Sequence, residues 1–281
     1  MSSSGAPPKA APTFEVYALK YGERMGTRSA MFAGGDPHDG PMAMDYFIWA
    51  IRGGGATVVI DTGFGRHEGE RRGRTFLRTP AEALALIGVD ADEVSDVVIT
   101  HLHYDHAGNL DSFPQARFHV QDTEMHFATG RSMTHAAVRH SFRLDDVLGM
   151  VSNVFAERVV FHDGDVPGEE AGLASGIDLY LIPGHTPGQM SLGVNTARGR
   201  VVVASDAAHF YENYLDGRPF VTHDSLTGIV EGHRRLRTLA DSDDHVVPGH
   251  DPLVLSRYPA PSKDLVHAVA SLHEVPAPLN I

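Results

Sequence analysis

The chain has no cysteine among its 281 residues. Disulfides and thiolate ligands are excluded, so a metal here is held by histidine, carboxylate and water. The absence favours a cytoplasmic location without excluding export. Positive charge is scarce too: 23 lysines and arginines stand against 36 acids, a formal net charge of −13. That balance speaks against nucleic acid or another polyanion as partner, unless a local basic patch overrides it. No apolar run approaches a membrane span. The Ser/Ala/Pro-rich stretch over residues 1–12 lacks the apolar core of a signal peptide and reads as a disordered tail before one domain at 13–281.

Histidine, by contrast, is plentiful, with 18 in the chain. Four chemistry-bearing residues, His101, His103, Asp105 and His106, crowd into T-H-L-H-Y-D-H-A-G-N directly after the β-branched run Val97-Val98-Ile99. Such a run signals a buried strand. On an extended backbone His101 and His103 point to the same side. Imidazole nitrogen and carboxylate oxygen suit Zn²⁺, Fe²⁺ or Mn²⁺. Three further apolar runs end in the same way: Tyr180-Leu181-Ile182 before Pro183-Gly184-His185, Val201 to Ala204 before Ser205-Asp206, and Val246-Val247 before Pro248-Gly249-His250.

This motif set, H-x-H-x-D-H followed by a later His, Asp and His at strand ends, resembles the metallo-β-lactamase fold superfamily from about Phe14 to Tyr258. The resemblance implies an αβ/βα four-layer sandwich of two mixed β-sheets with outer helices, and a site along one sheet edge. It implies two divalent metal ions, zinc first, with Mn²⁺, Fe²⁺ or Co²⁺ as alternatives. His101, His103 and His185 would hold one; Asp105, His106 and His250 the other; Asp206 would bridge them together with a hydroxide. Asp61, in Asp61-Thr62-Gly63, would support the centre from behind. Two adjacent cations make water a nucleophile at neutral pH, since one zinc alone brings its pKa to about 7. No serine, cysteine or lysine nucleophile is then needed.

Within the superfamily, H-L-H-Y-D-H-A-G-N together with S-D-A-A-H-F-Y-E-N-Y looks most like the N-acyl-homoserine lactonase group. His103 in place of Glu argues against the flavodiiron branch, and Asn109 after Gly108 against the thioester-hydrolase pattern. The implied activity is opening of a lactone ring, an N-acyl-homoserine lactone above all (quorum quenching). Another lactone, ester, thioester or cyclic amide is the alternative, and a non-catalytic metal-binding module the outsider. The implied partner is a small-molecule substrate, with no nucleic acid and no membrane, and a homodimer is left open. One departure stands out. Where the lactonases carry a Tyr three residues after the bridging Asp, this chain has His209, with Tyr211 and Tyr214 close behind. The catalytic group is thus read as Asp105, Asp206, and either His209 or Tyr211 as proton donor.

Local patterns predict strands over Phe14–Tyr21, Tyr46–Arg52, Thr57–Ile60, Glu93–Thr100 and Phe118–Val120. A second sheet is expected from Arg158–Phe161, Ile177–Ile182, Met190–Val194, Arg200–Ala204 and a final strand at His245–Val247. Helices are expected at Pro80–Ile87 behind Thr79, at Asp122–Ala128 capped by Asp122, at Leu226–Leu239, and near the C-terminus beyond Pro259. The arginine-rich stretch Arg66–Arg78 reads as a plain exposed loop, with a role in covering the site as the alternative. The region Met133–Phe155 has helical spacing and reads as an insertion that shapes the substrate pocket, with Val138, Val147 and Val151 as core and His135 and His140 at the surface.

Overall fold

A computed structural model describes residues 12–279; the expected tail lies almost wholly outside them. The first sheet is built from β1 (Glu15–Thr27), β2 (Pro41–Gly53), β3 (Ala56–Ile60), β4 (Thr75–Phe76), β5 (Asp96–Val98), β6 (Arg117–Gln121) and β7 (Val159–His162). The second comprises β8 (Ile177–Leu181), β9 (Met190–Thr196), β10 (Gly199–Ser205) and β11 (Val246–Pro248), and β12 (Val269–Ser271) returns to the edge of the first. Their orders are β12-β1-β2-β3-β5-β6-β7, with β4 on β1, and β11-β10-β9-β8. Both are mixed: β1/β2/β3 run antiparallel and β3/β5/β6/β7 parallel, while β10 pairs parallel with β11 and antiparallel with β9.

Alternation along the strands builds two cores. Phe47, Trp49 and Ile51 of β2 face the second sheet and pack with Leu192, Val194 and Val202. Ile48 and Ala50 face the other way and join Ala83, Leu84, Val147 and Met150 under the outer helices. On the far side the helix Leu226–Leu239 covers the second sheet through Ile229, Gly232, His233 and Leu236. Helix, sheet, sheet and helix therefore stack as the αβ/βα sandwich. None of the helices among the described residues is long and apolar enough to cross a membrane.

Several local expectations are corrected. Arg158–Phe161 was assigned to the second sheet by sequence order. As β7 it instead extends the parallel half of the first, paired to β6, because the helix Leu144–Phe155 before it makes a crossover. Among the described residues, the segment beyond Pro259 forms a short 3₁₀ turn at Lys263–Leu265 and then β12, which uses β1's open edge, in place of a terminal helix. Asp122 is the first helical residue; Gln121 holds the capping position and makes no side-chain cap. Arg66–Arg78 is no plain loop either. It carries the helix Arg66–Arg71 and β4, and Glu68 is buried beneath Arg71 and Arg72. In the insertion Val147 is core, Val138 and Val151 are half-buried, and His135 and His140 are exposed.

Candidate metal centre

Every strand that carries a candidate residue ends at one edge of the sandwich. β3 delivers Asp61, β5 the loop 99–109, β8 His185, β10 Asp206 and β11 His250. Two of these exits bend sharply: Asp61 and Ser205 adopt φ of +63° and +47°. Left-handed backbone in non-glycine residues costs about 1–3 kcal/mol and persists where surrounding contacts over-determine it. Those contacts are present. The Asp61 carboxylate accepts from the Thr100 amide at 2.7 Å and from its hydroxyl at 2.8 Å, and Thr100 Oγ1 lies 2.9 Å from Ser205 Oγ. The glycines before His185 and His250 permit close packing. A Cβ on Gly184 would sit 2.4 Å from the amide nitrogen of Ile229, and one on Gly249 2.6 Å from the Ser205 carbonyl.

The predicted ligands meet here. His101, His103 and His185 form one group, and Asp105, His106 and His250 another, with ligand atoms within 4.8 Å of one another in each. Asp206 stands between them. Its Oδ1 is 3.2 Å from His106 Nε2 and 2.9 Å from His250 Nε2. Its Oδ2 is 3.2 Å from His185 Nε2 and 3.8 Å from His101 Nε2. One carboxylate therefore offers an oxygen to each group.

In three of the rings the second nitrogen is tied to the scaffold, which aims the first. His185 Nδ1 donates to the Thr222 carbonyl at 2.9 Å, His250 Nδ1 to the Asp45 carbonyl at 2.8 Å, and His106 Nδ1 to Asp61 at 2.7 Å. Such outer partners fix tautomer and ring orientation at metal sites. Asp61 thus stands where the motif predicted, behind His106.

The residues fit divalent cations. His101 Nε2 and His106 Nε2 are buried without a hydrogen-bond partner. Burial pushes His101 and His103 well below the ordinary histidine range and His185 down to about 3, so these rings stay neutral with a lone pair to give. His106 goes the other way: burial lowers it, but Asp206, Asp61 and Asp105 outweigh burial and hold it well above its usual range. Negative charge is concentrated where a cation belongs.

Replacing Asp61 by Asn is accordingly expected to weaken metal affinity about 10- to 100-fold, read by competition against a chromogenic chelator. Asn tolerates the left-handed backbone as well as Asp does, so the loss would come from the His106 hydrogen bond rather than from a broken turn.

The two proton-donor candidates part company. His209 is buried beside Asp206, with Nε2 3.0 Å from Oδ2, and its ring stacks on Phe220 with centroids 3.6 Å apart. Burial lowers it to about 4 despite Asp206, so it is neutral at neutral pH. Tyr211 is not brought to the cluster. It lies in the core between the sheet and the last helices, with the Arg257 guanidinium over its ring at 4.7 Å. Tyr214 is also core, donating to the Asp243 and Val246 carbonyls. The cause is the helix Tyr211–Leu215, which starts two residues after His209 and turns both phenols inward.

Other groups reach the site that sequence reasoning passed over. A cavity of about 160 Å³ opens onto His103, Asp105, His185, Asp206 and His209, and Tyr46, Tyr104, Arg24, Arg72 and Arg74 stand on its wall. Tyr104 sits inside the motif itself, at a spacer position between His103 and Asp105. Its hydroxyl accepts from Arg74 Nε at 3.1 Å and lies 3.4 Å from that of Tyr46. A second cavity of about 270 Å³ shares His103 and His185 and is walled by Phe127, Ala137, Val138 and Phe142. The insertion reaches it by pairing with the motif loop, where the Tyr104 amide donates to the Ser141 carbonyl at 2.9 Å. Glu124, fully buried, ties two ligand loops together by accepting from the Leu102 amide, the Thr186 hydroxyl and the Gly188 amide. Nothing in a lone helical Glu announces that role.

Comparison with known proteins agrees with this geometry. The model of the metallo-beta-lactamase superfamily matches residues 44–250. A "probable metallo-hydrolase" of Mycobacterium tuberculosis is 30% identical over 234 residues, 69% of this chain and 71% of its own length. An N-acyl homoserine lactonase of Bacillus thuringiensis is 27% identical over 169 residues, 60% of each chain. Among solved structures, a quorum-quenching N-acyl homoserine lactone lactonase superposes with a TM-score of 0.69 at 21% identity, covering 86% of this chain and 93% of the other. Fold, ligand geometry and kinship together place the chain in the metallo-β-lactamase superfamily, as a metallo-hydrolase.

Proposed function

We propose that the protein hydrolyses carboxylic esters, a lactone foremost, with water as nucleophile at a centre of two divalent ions. The observation that carries this reading is Asp206, whose two oxygens are shared between two complete ligand groups at the floor of a cavity. His101, His103 and His185 would hold one ion, and Asp105, His106 and His250 the other, with Asp206 common to both. When bound, such ions polarise an acyl carbonyl and make water nucleophilic at neutral pH.

The chain's own residues do the rest. His209, neutral at pH 7, donates its Nε2 proton to Asp206 Oδ2 and holds that carboxylate in place. Tyr104 accepts from Arg74 on the cavity wall, and its phenol would give the proton to the oxygen of the opening ring. Phe127, Ala137, Val138 and Phe142 offer an apolar wall for an acyl chain. The lactonases among the relatives support a lactone; zinc is the first choice of metal, with Mn²⁺, Fe²⁺ and Co²⁺ as alternatives.

The test is a pH-stat panel of N-acyl-homoserine lactones, simple lactones, aryl esters and a phosphodiester, with elemental analysis of the active protein. Two metal equivalents per chain are expected, with ring opening lost on chelation and regained on adding Zn²⁺, Mn²⁺ or Co²⁺. Fast phosphodiester cleavage with no lactone, ester or amide hydrolysis would overturn the reading. One equivalent or none in fully active protein would overturn the paired ions.

A further inference from the structure

The acidic balance of the chain excludes an anionic ligand only where no local basic patch intervenes, and one stands at the mouth of the metal centre. Arg24 and Arg74 line the cavity half-buried, and among the described residues neither has a carboxylate within ion-pair distance. Arg24 gives Nε to the Met44 sulfur at 3.2 Å and an Nη to the Met31 sulfur at 3.3 Å. Thioethers are weak acceptors. Arg74 gives Nε to the Tyr104 hydroxyl and an Nη to the Arg72 carbonyl. Both arginines stand on the cavity wall beside Tyr46, whose hydroxyl is 3.4 Å from that of Tyr104.

Outside this point the wall continues as a groove of about 500 Å³ lined by Arg71, Arg72, Arg74, Arg139 and His140, of which Arg71 and Arg72 are paired to the buried Glu68 beneath them. By contrast Arg28 and Arg218 share Asp36 and Glu212, Arg257 has Asp244, and Arg158 and Arg198 give their guanidinium groups to backbone carbonyls. A half-buried cation without a counter-ion is unfavourable unless something supplies the negative charge. Guanidinium forks are shaped for planar or tetrahedral oxyanions.

We infer that Arg24 and Arg74 form a subsite for an oxyanion carried by the substrate, so that the preferred lactone or ester bears a carboxylate or phosphate beside its reacting acyl group. The subsite rests on the hydrolase reading for its placement beside the reacting bond. Tyr46 adds a hydroxyl to it, and the groove draws the anion in from solvent. The two cavities then divide one substrate. The apolar wall takes the acyl chain, the arginine wall takes the anion, and His103 and His185 stand at the junction of the two.

Two measurements on the metal-loaded protein test this separately from the reaction. Calorimetry compares glutarate with glutaramate, which differ by one carboxylate and so cancel any direct contact of the first carboxylate with metal. Glutarate is expected to bind about 10- to 100-fold more tightly, the scale of one charged hydrogen-bonded contact. That preference should fall to within threefold in Arg24→Met/Arg74→Met and survive in part in Arg24→Lys/Arg74→Lys. Kinetics then compares a carboxylated γ-lactone with its primary amide and with a phosphate monoester analogue. The ratio of kcat/KM should favour one of the charged forms by about tenfold or more, and which one identifies the oxyanion. Should the double variant fail to fold, Arg24→Met alone serves, since its guanidinium touches methionine sulfurs.

Equal binding of the two acids, or a preference that ignores both arginines, overturns the subsite even if lactones are hydrolysed. An arginine-dependent preference in a protein that opens no lactone or ester keeps the subsite and overturns the reaction assigned to it.

Discussion

Asp206→Asn is expected to reduce kcat/KM by about three orders of magnitude, more than the loss of any one histidine of the cluster. A metal centre contributes several kcal/mol of transition-state stabilisation, and each 1.4 kcal/mol is about tenfold in rate. The geometry explains why this residue leads. Oδ1 faces His106 and His250, Oδ2 faces His185 and His101, and the imidazoles of His209, His106, His250 and His185 outweigh burial to hold the carboxyl well below its usual range. An amide removes the charge and leaves one side of the pair facing an NH₂ group. Metal titration of the variant should show at most one tightly held equivalent. Two tight equivalents with near-normal turnover would refute the shared role.

His209→Phe is expected to lower kcat by about 10- to 100-fold while metal content stays at the wild-type level, the scale of removing an outer hydrogen bond. Phenylalanine keeps the stack on Phe220 and deletes only the N–H aimed at Asp206. Tyr211→Phe should be close to wild type in kcat, because its ring lies in the core away from the cavity. Tyr104→Phe, by contrast, should carry the loss that proton donation implies, about 10²- to 10⁴-fold. Single-turnover kinetics with metal analysis on the three variants separates these roles. A full loss in Tyr211→Phe with normal folding would return the donor role to Tyr211, the alternative to His209.

Legibility in the chain followed the range of the interactions involved. The Val97–Ile99 run and H-L-H-Y-D-H are local, so the strand and four ligands could be read without any tertiary contact. The same holds for the helix Leu226–Leu239, whose period and Ser225 cap both lie within it. The helix after Thr79 likewise closes its own capping box with Glu82. Where partners are distant the reading failed. β7 chooses its sheet by pairing with β6 across an intervening helix, and β12 forms only because β1 presents an edge about 250 residues earlier in the chain.

The sequence by itself determined the superfamily, the sandwich and the identity of the residues gathered at its edge. Those depend on short apolar runs that must be buried and on side chains placed directly after them. Only the tertiary structure decided what surrounds the centre. Tyr211 or His209, Tyr104 or a spacer, Arg74 or an exposed loop: each choice turns on which way one side chain faces once helices and loops far apart in sequence have packed. A helix that begins one residue later or earlier swings its side chains by about 100°, and no local pattern in F-Y-E-N-Y records that rotation. Packing around Asp251, Arg257 and Val246 does, because it leaves room for both phenols in the core and only His209 beside Asp206.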